Sequence, residues 1–118
     1  MYPELFEKYG VDLVITAHNH NYQRTYPIYS DSKHSNNPEI KDKSSNRYDN
    51  PSAPIYLIVG TAGPELHEIF GQAPFVATQL TESGFLDIDI LNDRTQLKGK
   101  FINSEYNSEK DDFTINKT

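Results

Sequence analysis

With 118 residues, 36% of them hydrophobic and none of them cysteine, the chain has the length of one domain with a modest core, and disulfides, thiolate nucleophiles and thiolate metal sites are excluded. Eleven basic residues, scattered along the chain, stand against seventeen acidic ones for a formal charge of -6, which argues against nucleic acid as a partner. No run approaches the roughly 20 apolar residues of a bilayer span, and the opening MYPELFEKYG lacks the basic start and apolar run of a signal peptide, so a soluble segment without membrane contact is expected.

Pro3 at a first helical turn, Leu5, Phe6 and Tyr9 along one side and Gly10 at the stop position predict a short amphipathic helix over residues 3–9. The β-branched, nearly all-apolar VDLVIT of residues 11–16 predicts a strand buried on both faces, as in a layered α/β protein. Helix, glycine, strand is half of a crossover unit, and the parallel strand that should precede it is not in the sequence. Residues 26–29 read as a short extended segment. In residues 30–54 only Ile40, Tyr48 and Ala53 are apolar, which predicts a long, exposed polar loop with no buried face.

IYLIV, Ile55–Val59, restores a buried strand and ends in Gly60-Thr61-Ala62-Gly63, small residues that let backbone approach a ligand or another loop closely. Residues 64–81, broken by Gly71 and Pro74, are expected to be mostly loop. Phe85, Ile88 and Ile90 alternate imperfectly with Asp87 and Asp89, a half-buried strand over residues 85–91. The Asn92-Asp93 turn signal then joins it to Gln96–Asn103 as a β-hairpin. Phe113-Thr114-Ile115 predicts a last, short edge strand.

The chemistry concentrates in VITAHNHNYQRTYP, residues 14–27. His18 and His20 stand two apart at the carboxyl end of an apolar strand, the place where ligands of α/β sheets bind. On a strand the two would point the same way, while in a turning loop they diverge towards two neighbouring points. Neutral imidazole is a common ligand for zinc, iron and manganese. Taken alone, however, His-x-His is a weak signal, because a metal needs about three or four protein ligands. Of the other histidines, His34 reads as solvated, and His67 in PELHEIF lacks the second histidine of a zincin helix.

Three stretches raise the signal. YGVDLV leads into Ala17-His18-Asn19-His20 and Tyr22-Gln23-Arg24-Thr25, APIYLIVGTAG follows at residues 53–63, and DDFTINK at 111–117. In this order they resemble the calcineurin-like metallophosphoesterases of the purple acid phosphatase-like branch, which have Gly-His-x-His and Tyr-Glu-Arg-Ser/Thr at the first of them. The resemblance implies the fold of the C-terminal portion of a four-layer α/β/β/α sandwich, β-rich, with the short N-terminal helix and a C-terminal antiparallel hairpin.

It also implies a dinuclear metal-dependent phosphohydrolase, acid phosphatase-like, in which a metal-bound hydroxide attacks a phosphomonoester. By matching position His18 ligates the second, divalent ion and His20 the first, ferric in purple members, so that the pair is iron with zinc, manganese or iron. Asn19 is the candidate for substrate binding. Tyr22 and Arg24 are candidates for support: Tyr22 packing beneath the metal loop, and Arg24 pinning loop carbonyls or a carboxylate through its planar fork, with a phosphate contact as its sharper alternative. Two departures bear on the transfer, since Ala17 adds a Cβ where the family has glycine and Gln23 removes the glutamate charge.

The family's other ligand motifs, Asp-x-Gly, Gly-Asp-x-x-Tyr and Gly-Asn-His, normally precede the first helix and are not found in the sequence. The chain is therefore expected to be the C-terminal part of a longer phosphoesterase. By itself it is expected to be inactive, to bind zinc or nickel weakly at most, and to self-associate through faces that would pack on the rest. The alternative is a non-catalytic α/β binding or assembly module that keeps a weak His-x-His metal site. The resemblance is compatible with a secreted or periplasmic protein, and the sequence itself does not set the compartment.

Overall fold

The structure, a computed structural model, describes residues 10–17, 21–29, 39–60 and 74–117. The helix expected over residues 3–9 lies outside them, and among the described residues there is no helix. They form ten strands: β1 (Leu13–Thr16), β2 (Tyr22–Thr25), β3 (Ile28–Tyr29), β4 (Glu39–Ile40), β5 (Arg47–Asp49), β6 (Ile55–Val59), β7 (Val76–Leu80), β8 (Gly84–Leu91), β9 (Gln96–Asn103) and β10 (Ser108–Asn116).

Two four-stranded sheets carry the architecture, one in the order β1-β6-β2-β7 and the other in the order β5-β10-β9-β8, while β3 and β4 make a small ribbon. In the first sheet the two apolar runs recognised in the sequence lie side by side and parallel, Leu13 opposite Ile55 and Thr16 opposite Ile58. β2 joins the other side of β6 antiparallel, with Tyr22 opposite Val59. β1 is thus an end strand among the described residues, and this corrects the expectation of burial on both faces: Ile15 is 48% exposed.

The second sheet holds the predicted hairpin, β8 and β9, paired from Gly84–Asn103 to Leu91–Gln96. Its turn keeps Asn92, Asp93 and Arg94 in the left-handed region, with φ of 53°, 55° and 70°. Asparagine and aspartate tolerate that conformation, which is why Asn92-Asp93 reads as a turn. The inward face of β8 is carried by Leu86 and Ile88, whereas Phe85 turns outward and is exposed. The imperfect alternation resolves in this way, because a strand has period two and Leu86, not Phe85, shares Ile88's phase.

Three expectations need correction. The polar segment 30–54 is not without a buried face. Tyr48 at the centre of β5 is fully buried, and Arg47 and Asp49 beside it are exposed, so one inward tooth sufficed to add a strand parallel to β10. Residues 76–80, expected as loop, are β7, paired antiparallel with β2. The last strand is neither short nor at an edge: β10 runs from Ser108 to Asn116 between β5 and β9. Its charged outward residues hide an inward row of Asp111, Phe113 and Ile115.

The sheets pack face to face over Tyr22, Tyr48, Ile55, Leu57, Phe101, Phe113 and Ile115. Tyr22 and Phe101 stack across the interface, with ring centroids 4.3 Å apart. Phe113 lies over Gly99 of β9, so close that a Cβ there would sit 2.3 Å from the phenyl ring. Glycine at that position lets the ring fill the layer. At these coefficients of about 25 cal/mol per Å² of buried apolar surface, such aromatic side chains dominate the core energetics.

Candidate functional site

His18, Asn19 and His20 lie outside the described residues. What the structure gives is the framework on either side of them. Thr16 ends β1 before the motif and Tyr22 opens β2 after it. The Asn21 carbonyl accepts a hydrogen bond from the Gly60 amide at 3.1 Å, which ties the start of β2 to the end of β6. Among the described residues no group of three or more histidine, cysteine, aspartate or glutamate side chains is arranged to hold a metal ion.

β2 turns Tyr22 and Arg24 inward, as residues i and i+2 of a strand must. Both end on one carboxylate, that of Asp111 on β10. Arg24 donates from Nε to Asp111 Oδ2 at 2.8 Å and from Nη2 to Oδ1 at 3.1 Å, a two-pronged pair. The Tyr22 hydroxyl donates to Asp111 Oδ2 at 2.6 Å. Arg24 Nη1 donates to the Tyr48 hydroxyl at 2.6 Å, and Nη2 also reaches the Ser45 carbonyl at 3.0 Å and Thr78 Oγ1 at 3.4 Å. The Arg24 side chain is 2% exposed and that of Asp111 7%.

A buried guanidinium and carboxylate are tolerable here because their polar atoms are satisfied from several directions. Burial alone would push the Arg24 guanidinium towards its neutral form, but the hydrogen bonds and charge of Asp111 outweigh it and hold Arg24 more firmly protonated than an ordinary arginine. Burial, reinforced by the Asp111 charge, pushes the Tyr22 phenol well above its ordinary value, so it stays a donor. Burial likewise raises Tyr48, against the opposing pull of Arg24. A polar cleft of about 350 Å³ opens beside this network, lined among others by Arg24, Tyr26, Ser45, Thr78, Lys110 and Asp111.

Of the residues singled out in the sequence, the structure brings Tyr22 and Arg24 together around one anion and leaves His18, Asn19 and His20 undescribed. Arg24's fork takes a carboxylate and a loop carbonyl, both kinds of partner that the sequence reading offered it. Sequence reasoning missed Asp111, Tyr48 and Thr78. For Asp111 a signal existed, since it keeps the period-two phase of Phe113 and Ile115 and therefore has to face inward.

The sequence model of the family described as iron/zinc purple acid phosphatase-like protein C matches residues 53–112, just over half of the chain. The chain belongs to that family. The matched span of the purple acid phosphatase-like region runs from the approach to β6 into β10 and includes Asp111, while its partners Tyr22 and Arg24 precede it.

Relatives cover the rest. "Acid phosphatase type 7" of Danio rerio is 34% identical over 115 residues, which is 95% of this chain and 25% of that protein. "Probable inactive purple acid phosphatase 27" of Arabidopsis thaliana is 28% identical over 114 residues, 95% of this chain and 17% of that protein. The solved structure of a purple acid phosphatase from yellow lupin (Lupinus luteus) seeds matches with a TM-score of 0.86 at 26% identity, covering 98% of this chain and 19% of that one. The chain therefore spans about a quarter or less of the length of these relatives. The strand-rich sandwich is the purple acid phosphatase fold over that span, and the family generally uses a dinuclear metal centre.

Proposed function

We propose that this chain forms the C-terminal part of a dinuclear metal-dependent phosphohydrolase acting on phosphomonoesters, to which it contributes His18 and His20 as metal ligands, one to each ion. The observation that carries the reading is the position of His18-Asn19-His20 in the sequence, between β1 and β2 of a family member whose fold extends over nearly the whole chain. The donor chemistry fits: neutral imidazoles suit iron, zinc and manganese alike. Two histidines fall short of the four or so ligands one ion takes, let alone two, so the remainder comes from elsewhere in a longer protein and the chain alone is inactive.

When bound, the metals would supply Lewis acidity and an activated water. The chain's own residues have other tasks. The imidazoles of His18 and His20 have to be held neutral and aimed, and the Asn19 amide is available to donate to a substrate oxygen. Arg24 spends Nε and both Nη atoms inside the sandwich, which supports a supporting role over a phosphate contact.

A second reading, a non-catalytic module that keeps the shape, is favoured by the Arabidopsis relative, whose name is "Probable inactive purple acid phosphatase 27". Hydrolysis of a chromogenic phosphate ester separates the two. The purified chain supplied with iron and zinc should show no turnover above the blank. A longer protein containing the chain should turn over, and should lose more upon His18→Ala or His20→Ala than the roughly 10–100-fold that loss of an outer hydrogen-bond partner costs. Full activity in those variants would sink the ligand assignment, and turnover by the chain alone that vanishes with His18→Ala would sink its incompleteness.

A further inference from the structure

We propose that β1 is a pairing edge at which two copies of this chain join antiparallel, Leu13 of one opposite Ile15 of the other, so that their first sheets become one. Among the described residues four strands end the two large sheets: β1 and β7 in the first, β5 and β8 in the second. An open edge offers unpaired N–H and C=O groups to any other strand, and proteins blunt it with charge, proline or a bulge. β8 carries Asp87 and Asp89, both exposed, and β5 carries Arg47 and Asp49, exposed as well. β7 is bulged: Arg24 lies opposite Thr78 and Thr25 opposite Val76, which leaves Ala77 without a place in the ladder. β1, Leu-Val-Ile-Thr, has none of these guards, and its register with β6 is unbroken.

The backbone fixes which groups the edge offers. The Asp12 carbonyl accepts from the Ile55 amide at 3.0 Å, so the even-numbered residues address β6. Alternation along the strand then turns the N–H and C=O groups of Leu13 and Ile15 to the open side. The side chains agree. Leu13 packs against the core, and Ile15 shares its phase and lies opposite fully buried Leu57, yet Ile15 is 48% exposed. The apolar layer between the sheets thus runs on past the part that is covered.

A second copy fits this edge because β1 is complementary to itself. Antiparallel pairing exchanges bonds between residues whose groups point outward, so a two-fold axis at Val14 places Leu13 opposite the partner's Ile15 and Val14 opposite the partner's Val14. Every directly opposed pair within these three positions is apolar, the kind of cross-strand contact that stabilises a sheet. Centring the axis on Ile15 would call instead on Ala17, which lies past the end of β1. No charge is forced against its like: Asp12 meets the partner's Thr16 and is already paired with Lys117 of its own chain at 3.0 Å.

The test is the mass of the full chain in the analytical ultracentrifuge at concentrations rising to about 1 mM, since so small a contact belongs to the weak, transient class. Reversible dimerisation is expected, with amide exchange at Leu13 and Ile15, and not along β8, slowing as the concentration rises. A monomer throughout overturns the proposal. So do Leu13 and Ile15 amides that exchange just as slowly in dilute solution, because the chain then covers its own edge.

Val14→Lys and Val14→Glu test the register, since each sets like charges opposite one another across the axis. Each should raise the dissociation constant about tenfold or more, and an equal mixture of the two should return it to within about threefold of the unaltered chain's. Association that survives in either variant alone, or a mixture that stays dissociated, overturns the proposal. If these variants do not fold, Ile15→Lys decides in their place, since it installs at a half-open site the kind of guard that β5 and β8 carry. Weakening of about tenfold then supports the proposal, and unchanged association overturns it.

Discussion

Two arginine–aspartate pairs in this molecule use the same chemistry to different ends. Arg24 and Asp111 meet at 2.8 Å with side chains 2% and 7% exposed; Arg47 and Asp49 meet at 3.4 Å with side chains 71% and 61% exposed. The first joins two sheets across 87 residues of sequence and uses both carboxylate oxygens. The second links neighbours on one strand through a single contact. Water screens the exposed pair and leaves both side chains free to move, whereas the buried pair gives up its hydration and has to be satisfied by protein alone. The number of salt bridges therefore says little about this fold, and their location says a great deal.

The largest effect expected from breaking that contrast is Arg24→Ala. It leaves Asp111 buried with only Tyr22 as donor among the bonds described, and removal of one partner of a buried pair costs about 3–5 kcal/mol. Urea denaturation of the chain should show the midpoint falling accordingly. The triple replacement Arg24→Met, Tyr22→Phe, Asp111→Leu takes out donors and acceptor together and should recover most of the loss, because apolar groups of similar volume substitute well for a buried ion network. A cost below about 1 kcal/mol for Arg24→Ala would put the buried pair on the same footing as a surface one.

How far all this could be read from the sequence depends on how many residues signal each element. β1, β6 and the β8–β9 hairpin announce themselves by apolar runs or a turn dipeptide. β5 does not, because Tyr48 is its one buried residue and it sits in a run of serine, asparagine and lysine that reads as loop. β7 was missed for a similar reason: only Val76 of VATQL is fully buried. In the site, the fork of Arg24 suggested a carboxylate or carbonyl partner, but a partner 87 residues away leaves no trace in local spacing. His18 and His20 were legible as chemistry from residue type and position alone.

A smaller effect tests the edge of the buried network. The Tyr48 phenol accepts from Arg24 Nη1 and donates to the Ser45 carbonyl at 3.3 Å, and burial raises it above the ordinary tyrosine value. With the folded value above the unfolded one, its contribution is fully present below about pH 10 and is lost as the pH rises towards the folded value, since only the unfolded chain then sheds the proton. The stability of the chain should fall above pH 10 with a slope of at most about 1.4 kcal/mol per pH unit from this group. Tyr48→Phe should cost about 1 kcal/mol at pH 7 and flatten that alkaline limb. The check is a series of melting temperatures from pH 8 to 11. A limb equally steep in the variant would mean that Tyr48 ionises in the folded chain as freely as it does in water.

The exposed pair should show the least. Asp49 Oδ1 accepts from Asn116 Nδ2 at 2.8 Å and from Arg47 Nε at 3.4 Å, and the Asn116 bond, with Arg47 adding to it, lowers the carboxyl below its ordinary value. The sign is opposite to that of Tyr48. A lowered folded value contributes stability above the unfolded value near pH 4 and loses it as the pH falls through the folded one. Solvent exposure screens the shift and the contribution together, so Asp49→Asn should change the melting temperature only slightly from pH 3 to 7, and an NMR titration should place the Asp49 midpoint only slightly below the ordinary aspartate value. A small shift with a correspondingly small effect on stability is what separates a surface pair from Arg24 and Asp111. A large loss at pH 7 upon Asp49→Asn that shrinks as the pH falls towards 3 would mean instead that the short β5–β10 pairing, which ends at Asp49 opposite Asn116, depends on that side-chain bond more than on the burial of Tyr48.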